Sequence, residues 1–219
     1  MNKELLKRIF TSLLILPIVI YCVFSAGIYL IVLLLFIFIL TFYEIIKNTK
    51  NLFFIFFSNI VIISSLLSFY YLRGETNYSL TIVLWILILT FLSDIGGYIF
   101  GNILKGRKLT KISPNKTYSG AIGSLILSSL SLPSMSIVQN LFFDELLINF
   151  MQVNFFLITI LLSIICQLGD LYVSFWKRKI NIKNISNILP GHGGLLDRID
   201  GLIFVLISSS ILIFFFDII

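Results

Sequence analysis

The most concentrated polar group of this chain lies in the stretch LPGHGGLLDRID, residues 189–200. Its ionisable members are Asp197, Arg198, Asp200 and the chain's one histidine, His192. Two more carboxylates stand inside apolar runs, Asp94 in LSDIGGYIFG and Asp170 in CQLGDLYVSFWKRK. Carboxylate oxygens bind hard divalent cations, and glycine lets backbone N–H groups approach phosphate oxygens closely. These residue types therefore indicate a site for a divalent cation and phosphates.

The rest of the chain indicates a membrane protein. Its 219 residues are 58% hydrophobic and only 12% charged, with a mean hydropathy of +1.07, far outside the range of a water-soluble domain. Cys22 and Cys166 lie far apart inside apolar segments, so neither a disulfide framework nor a metal knuckle is indicated. We expect one integral-membrane domain over 1–219, with N-terminal helices over 1–75 and catalytic helices and loops over 79–219.

Apolar periodicity predicts an all-α bundle of about seven transmembrane helices. The predicted spans are 10–26, 28–46, 52–72, 79–101, 118–138, 154–176 and 197–216. The first span is short for a full crossing, and the alternative of a cleaved signal peptide is rejected because a second span follows at once. In the fourth span, Gly96, Gly97 and Gly101 predict a close approach to another helix.

The basic residues predict the orientation of the bundle. With these spans, Arg73 alone among the 16 basic residues falls in an opposite-side loop. The N-terminus is therefore predicted to be cytoplasmic, and seven spans place the C-terminus on the opposite side of the membrane. This rule accounts for most of the net charge of +6, so nucleic-acid binding is not expected. The rule does not explain why the two loops around 105–116 and 177–198 contain so many basic residues. Binding of an anionic ligand by these loops would explain them.

Three carboxylates, Asp94, Asp170 and Asp197, are predicted to lie at one depth in the cytoplasmic third of the membrane. Singly, each could pair with a lysine or cap a helix. Jointly they would make a poor set of structural ion pairs, which gain little stability after desolvation, and a good cation and phosphate site. Helical spacing also puts Ser174 and Lys177 or Arg178 on the face that carries Asp170. In the glycine turn, Gly193 and Gly194 are candidates for phosphate contact.

Three blocks of the chain resemble the phosphatidate cytidylyltransferases, the CDP-diacylglycerol synthases. They are SDIGGYIFG, KISPNKTYSGAIGS and SFWKRKINIKNISNILPGHGGLLDRID. The resemblance covers about 90 residues, whereas the first 75 resemble the family only in being apolar. The family usually has aspartate where this chain has Asn184, so a charge-dependent role there is in doubt.

The resemblance implies transfer of a cytidylyl group from CTP to phosphatidic acid in the bilayer. It implies that Asp170 and Asp197 hold Mg²⁺, with a monovalent cation such as K⁺ beside it, and it suggests a homodimer. Phosphate contacts are assigned to Lys177, Arg178 and Arg198. The remaining substrate-binding candidates are Asp94, Ser113, Asn115, Lys116, Thr117, Ser174, Lys183, His192, Gly193, Gly194 and Asp200. His192 is interpreted as a shaping residue of the turn, because a phosphate nucleophile needs no general base.

Two other functions stay open. A CTP-dependent lipid kinase of the dolichol-kinase type would use the same ingredients but transfer the γ-phosphoryl group to a lipid alcohol. A multi-span transporter would also place carboxylates at mid-depth, but paired repeats and broken helices would be expected in both halves. The predicted location is the bacterial inner membrane, with the site facing the cytoplasm.

Overall fold

The computed structural model of the chain describes residues 3–110, 113, 116–143, 146–182, 185–191 and 193–216. The predicted all-α class is confirmed, because the elements of these residues are all helices. They are α1 (Lys3–Ser25), α2 (Gly27–Asn48), α3 (Leu52–Arg73), α4 (Asn77–Leu104), α5 (Tyr118–Ser129), α6 (Ser131–Phe142), α7 (Val153–Lys179) and α8 (Leu196–Phe216).

Six segments of the described chain are long and apolar enough to cross a bilayer. They are α2, α3, α4, the pair α5 and α6 taken together, α7 and α8. Their lipid-facing sides carry many exposed large apolar side chains, as expected of a bundle whose solvent is hydrocarbon. The chain is therefore a polytopic integral membrane protein.

Helix α1 is not among these six, because its apolar part is limited to Phe10–Ser25. Its ends nevertheless contact opposite ends of the bundle. Near its start, Arg8 Nε donates to the carbonyl of Gly191, 2.8 Å away. At its end, Arg73 of α3 donates to the carbonyls of Val23 and Phe24. At about 1.5 Å per residue, α1 is thus long enough to run the length of the bundle, as the seven-helix prediction requires.

The same contacts explain why a basic residue, Arg73, lies at the end of the bundle where the charge asymmetry predicts none. Its side chain is buried, and its guanidinium also donates to the carbonyl of Gly74 at 3.2 Å. The last carbonyls of a helix have no partner within the helix and carry partial negative charge. Arg73 therefore satisfies the end of α1 and ties α1 to α3.

The fifth span differs from its prediction as one helix over 118–138. It is two helices of 12 residues each, separated at Leu130, whose N–H bonds the carbonyl of Leu127 at 3.0 Å. Pro133 stands in the first turn of α6 and lacks a backbone N–H. Proline within a continuous helix would also clash with the carbonyl four residues earlier, so the chain ends α5 and restarts.

Helices α4 and α5 approach each other closely through glycines, as predicted from Gly96, Gly97 and Gly101. A Cβ built on Gly96 would lie 2.4 Å from the carbonyl oxygen of Gly123, and one on Gly120 would lie 2.7 Å from that of Gly97. Such distances leave no room for any side chain at the contact. The two backbones therefore pack directly, and this contact sets where the N-terminal end of α5 lies.

Gly96→Ala should consequently separate α4 from α5. We expect a loss of about 1 to 3 kcal/mol in stability, typical of overpacking, and a lower thermal unfolding midpoint in detergent. Gly101→Ala is the matched control, since its Cβ would meet only the Thr117 hydroxyl at 3.2 Å and the Gly120 Cα at 3.8 Å. Equal midpoints for the two variants would contradict the packing described.

Candidate active site

A cavity of about 380 Å³ lies between α4, α5, α7 and α8. Its polar lining includes Ser93, Asp94, Ser113, Lys116, Thr117, Ser124, Gln167, Asp170, Asp197, Arg198 and Asp200. Asp94, Asp170 and Asp197, which the sequence predicts to lie at one depth, thus line a single cavity. Ser113, Lys116, Thr117, Arg198 and Asp200 join them from the substrate-binding and phosphate-contact candidates.

Asp170 of α7 is paired with a lysine from another part of the chain. Its Oδ2 forms a salt bridge with Lys116, and the two side chains retain 32% and 23% exposure. Its Oδ1 accepts a 3.5 Å hydrogen bond from Ser174, one helical turn later, as the predicted shared face requires. Because both side chains are partly exposed, the pair remains accessible to a ligand in the cavity.

Lys116 is held over the cavity by the short segment that precedes α5. The N–H of Leu109 donates to the carbonyl of Lys116 at 2.8 Å, and the N–H of Tyr118 donates to Arg107 at 3.1 Å. Thr117 caps α5, because its hydroxyl accepts the N–H of Gly120 at 3.1 Å. Thr117, a predicted substrate-binding residue, thus already uses its side chain to stabilise the start of this helix.

Asp197, in the first turn of α8, is more enclosed than Asp170. Its Oδ1 accepts a 2.8 Å bond from Lys177, and their side chains are 11% and 13% exposed. Its Oδ2 accepts the backbone N–H groups of Ile185 and Gly194, at 3.0 and 3.3 Å. Asp197 therefore joins the end of α7, the α7–α8 loop and the start of α8.

The glycine turn is closed by reciprocal bonds between Leu189 and Gly193, at 2.9 and 3.1 Å. Gly191 and Gly193 have φ of +79° and +90°, a conformation that side chains other than glycine rarely adopt. The N–H of Gly193 donates to Leu189 and that of Gly194 to Asp197. The N–H groups of Gly193 and Gly194 are thus bonded within the loop region, and contact of these two glycines with phosphate stays a prediction.

Other candidates lie away from the cavity lining or outside the described residues. Lys177 reaches the site through Asp197, whereas Arg178 is exposed and donates to the carbonyl of Ile182 at 3.4 Å. Asn115, Lys183, Asn184 and His192 lie outside the described residues. The assignments made to these four positions stay predictions.

Sequence reasoning missed the inner end of the cavity. Ser93, Ser124 and Gln167 line it, and the Ser124 hydroxyl donates to the carbonyl of Ser93 at 2.7 Å. Gln167 precedes Asp170 by three residues, so the helical spacing already put it on the same face of α7. A polar side chain three residues from an intramembrane carboxylate could therefore have identified Gln167 from the sequence.

The sequence count of three intramembrane carboxylates was also incomplete. Asp200 lies one turn into α8 and lines the same cavity as Asp170. Glu44, near the end of α2, is fully buried and makes no part of the cavity lining. Both are ionisable residues inside apolar helices, which is the criterion that identified the other three.

The donor set fits a cation that shares its ligands with a substrate. Among the residues that the structure describes, no group of three or more His, Cys, Asp or Glu side chains could enclose a metal ion. Asp170 and Asp200 do both present carboxylates to the same cavity. Mg²⁺ commonly binds through one or two carboxylates, with substrate phosphates and water completing its coordination.

Comparison with known proteins relates most of this chain to one family. Residues 47–216 match the model of the cytidylyltransferase family. A Staphylococcus haemolyticus protein named phosphatidate cytidylyltransferase is 38% identical over 148 residues, which are 67% of this chain and 54% of the relative. A Bacillus subtilis protein of the same name is 34% identical over 172 residues, 77% of this chain and 61% of the relative.

A Helicobacter pylori protein, also named phosphatidate cytidylyltransferase, is 34% identical over 136 residues. That match covers 62% of this chain and 48% of the relative. The chain thus spans about half the length of the curated relatives it matches. The match reaches the segments that line the cavity, since the family region includes α4, α5, α7 and α8. It also includes α3, so the expectation that the first 75 residues resemble the family only in being apolar is wrong for residues 47–75.

Loss of either member of the Lys177–Asp197 pair should destabilise the protein, because the remaining charged group would be left without its partner where little water reaches it. We expect Lys177→Met and Asp197→Asn each to cost about 1 to 3 kcal/mol, the range for a poorly solvated group that loses its partner, and the double variant to cost less than their sum. Thermal unfolding in detergent, followed by tryptophan fluorescence, measures all of them. Arg178→Met is the control from the same turn and should leave the midpoint unchanged. Additive losses would show that the two groups act independently.

Proposed function

The chain belongs to the cytidylyltransferase family, and we propose that it transfers a cytidylyl group from CTP to phosphatidic acid. The products are CDP-diacylglycerol and pyrophosphate. The observation that carries this proposal is the single cavity in which Asp94, Asp170, Asp197 and Asp200 lie with Lys116 and Arg198. Carboxylates suited to a cation and basic groups suited to phosphates are both needed when two anionic substrates react.

The position of the cavity supports a reaction between a lipid and a nucleotide. Its outer lining comes from Ser113, Lys116 and Arg198, beside the basic loops, and its inner lining reaches Ser93 and Ser124 of the helices. A lipid phosphate held at the bilayer surface can meet a nucleotide from the aqueous side at such a place. Lys116 and Arg198 are proposed to bind phosphates, with Lys177 acting through Asp197.

The reaction forms one P–O bond and breaks another. A phosphate oxygen of phosphatidic acid attacks the α-phosphorus of CTP, and pyrophosphate leaves with the electrons of the broken bond. The second pKa of a phosphate monoester is near 6, so the nucleophile is already deprotonated at neutral pH. The chain's residues therefore need to orient the two substrates and balance their charge, and no side chain needs to accept a proton.

We propose that Asp170 and Asp197 hold Mg²⁺, which when bound would neutralise charge developing between the attacking and leaving oxygens. A carboxylate offers about four lone-pair sites, and Asp197 uses one on Oδ1 and two on Oδ2. Its Oδ1 therefore retains capacity for a cation. Asp200, beside Asp170, is the further oxygen donor in reach. The monovalent cation and the homodimer stay predictions.

We propose that the end of the bundle with the cavity faces the cytoplasm of a bacterial cell, in the inner membrane. The lysines and arginines around the cavity support this orientation, because basic residues are retained on the cytoplasmic side. The named relatives are bacterial, and CTP is supplied from the cytoplasm.

Purified protein with phosphatidic acid and Mg²⁺ should transfer label to lipid from α-labelled CTP and not from γ-labelled CTP. Asp170→Asn should lower turnover about 100-fold or more, because it removes a carboxylate proposed to bind the cation. Glu75→Gln, exposed in the α3–α4 loop, is the control and should retain turnover. Label on lipid from γ-labelled CTP would identify a lipid kinase instead, and full activity of Asp170→Asn would remove Asp170 from the site.

The proposed orientation can be tested with single cysteines at exposed positions. Asn51→Cys and Lys108→Cys lie at the cavity end, and Asn77→Cys and Asn140→Cys at the other end. A membrane-impermeant maleimide added to intact cells should label only the second pair, and the first pair should become accessible after the membrane is opened. The native Cys22 and Cys166 are both buried and should contribute little background. Labelling of all four in intact cells would contradict the orientation.

A further inference from the structure

The carboxylate of Glu44 lies outside the cavity, yet it contacts the segment that carries Asp197. Glu44 stands one turn before the end of α2, and its exposure is 0%. It also precedes the region matched by the family model, which begins at residue 47. A fully buried acid in a membrane helix is costly unless its oxygens are well bonded.

The partners of Glu44 are the first backbone groups of α8. Its Oε1 accepts the N–H of Leu195 at 2.8 Å, and its Oε2 accepts the N–H of Leu196 at 2.9 Å. The hydroxyl of Ser186 donates to Oε1 as well. The first N–H groups of a helix have no partner within it, and a negative charge there is favoured by the helix dipole. Leu195 has no side-chain acceptor of its own, so α2 supplies the cap from outside.

A second residue of α2 extends this contact. One turn after Glu44, the side-chain amide of Asn48 donates to the carbonyl of Ile185 at 2.7 Å. The N–H of the same Ile185 donates to Asp197 Oδ2 at 3.0 Å. The backbone of Ile185 is therefore bonded on one side to α2 and on the other side to Asp197.

Gly194 lies between the two carboxylates. A Cβ at this position would be 3.0 Å from Glu44 Oε1 and 3.1 Å from Asp197 Oδ2. Glu44 of α2 and Asp197 of α8 thus bind neighbouring backbone groups of the same loop. A shift of either carboxylate would have to move the loop that the other one holds.

We propose that Glu44 is a positioning residue that fixes the orientation of Asp197 in the cavity through the 185–196 segment. Glu44 itself does not line the cavity. The inference rests on the proposed function for its effect on turnover, whereas its effect on the 185–196 segment is independent of that function.

The first measurement is hydrogen exchange of the 185–196 segment, followed by mass spectrometry in detergent. Glu44→Ala should speed exchange in this segment by about 10-fold or more, because two capped N–H groups lose their acceptor. Gln139→Ala is the matched control. Gln139 is also fully buried and bonds the backbone of Ile148 through both side-chain ends, at 3.0 and 2.9 Å, away from the cavity. It should leave exchange over 185–196 unchanged.

The second measurement is a double-mutant cycle on kcat/KM for cytidylyl transfer. Glu44→Ala should lower kcat/KM about 10- to 100-fold, the range for a residue that orients a ligand of the site. In an Asp197→Asn background the same change should cost less than about 2-fold, because the group it acts through is already altered. Gln139→Ala should lower kcat/KM by the same small factor in both backgrounds. Glu44→Gln keeps one acceptor oxygen and the size of the side chain, and should fall between wild type and Glu44→Ala.

The outcomes are distinguishable. Unchanged exchange in Glu44→Ala, or equal losses of kcat/KM in the two backgrounds, would overturn the positioning role. If Glu44→Ala does not fold, Glu44→Gln carries both measurements: exchange over 185–196 should be faster than in wild type, and its loss of kcat/KM should be smaller in the Asp197→Asn background. Failure of either result would overturn the positioning role. If the wild-type protein transfers no cytidylyl group, the proposed function fails, and the exchange measurement still decides whether Glu44 holds the segment.

Discussion

Ionisable groups inside the bundle need bonded partners, because neither lipid nor packed helices supply enough water to stabilise a free charge. Asp170 has Lys116, Asp197 has Lys177, and Glu44 has the first N–H groups of α8. Arg73 has the last carbonyls of α1. Each of these contacts joins segments that are distant in sequence. The arrangement of the helix ends therefore follows from where charge can be paired.

The α7–α8 loop shows this constraint most clearly. Arg8 of α1 contacts the carbonyl of Gly191, and Asn48 of α2 contacts that of Ile185. Asp197 of α8 binds two N–H groups of the same loop. The two N-terminal helices lie almost entirely before the region that matches the family model, and yet they supply contacts to the loop beside the cavity. Their described side chains do not line the cavity, so these helices contact the loop without forming part of the cavity wall.

The glycine contact between α4 and α5 has a related consequence. Direct packing of the two backbones fixes the start of α5, which Thr117 caps and which Lys116 immediately precedes. Lys116 then reaches Asp170 across the cavity. The close packing of α4 and α5 on one side of the cavity thus determines where the ammonium group of Lys116 lies. Family membership and this geometry together support chemistry between anionic substrates at a membrane surface.

The sequence by itself determined the membrane class, the apolar spans other than the fifth, and the similar depth of Asp94, Asp170 and Asp197, because hydropathy and charge report the depth of each residue directly. Only the tertiary structure decided which groups pair. Helical spacing put Lys177 on the face of Asp170, but Lys177 binds Asp197 and Lys116 binds Asp170. The break at Leu130 and the capping of α8 by Glu44 were equally absent from the predictions. Periodicity gives the face of a helix on which a side chain lies, whereas its partner depends on how helices cross and how loops return.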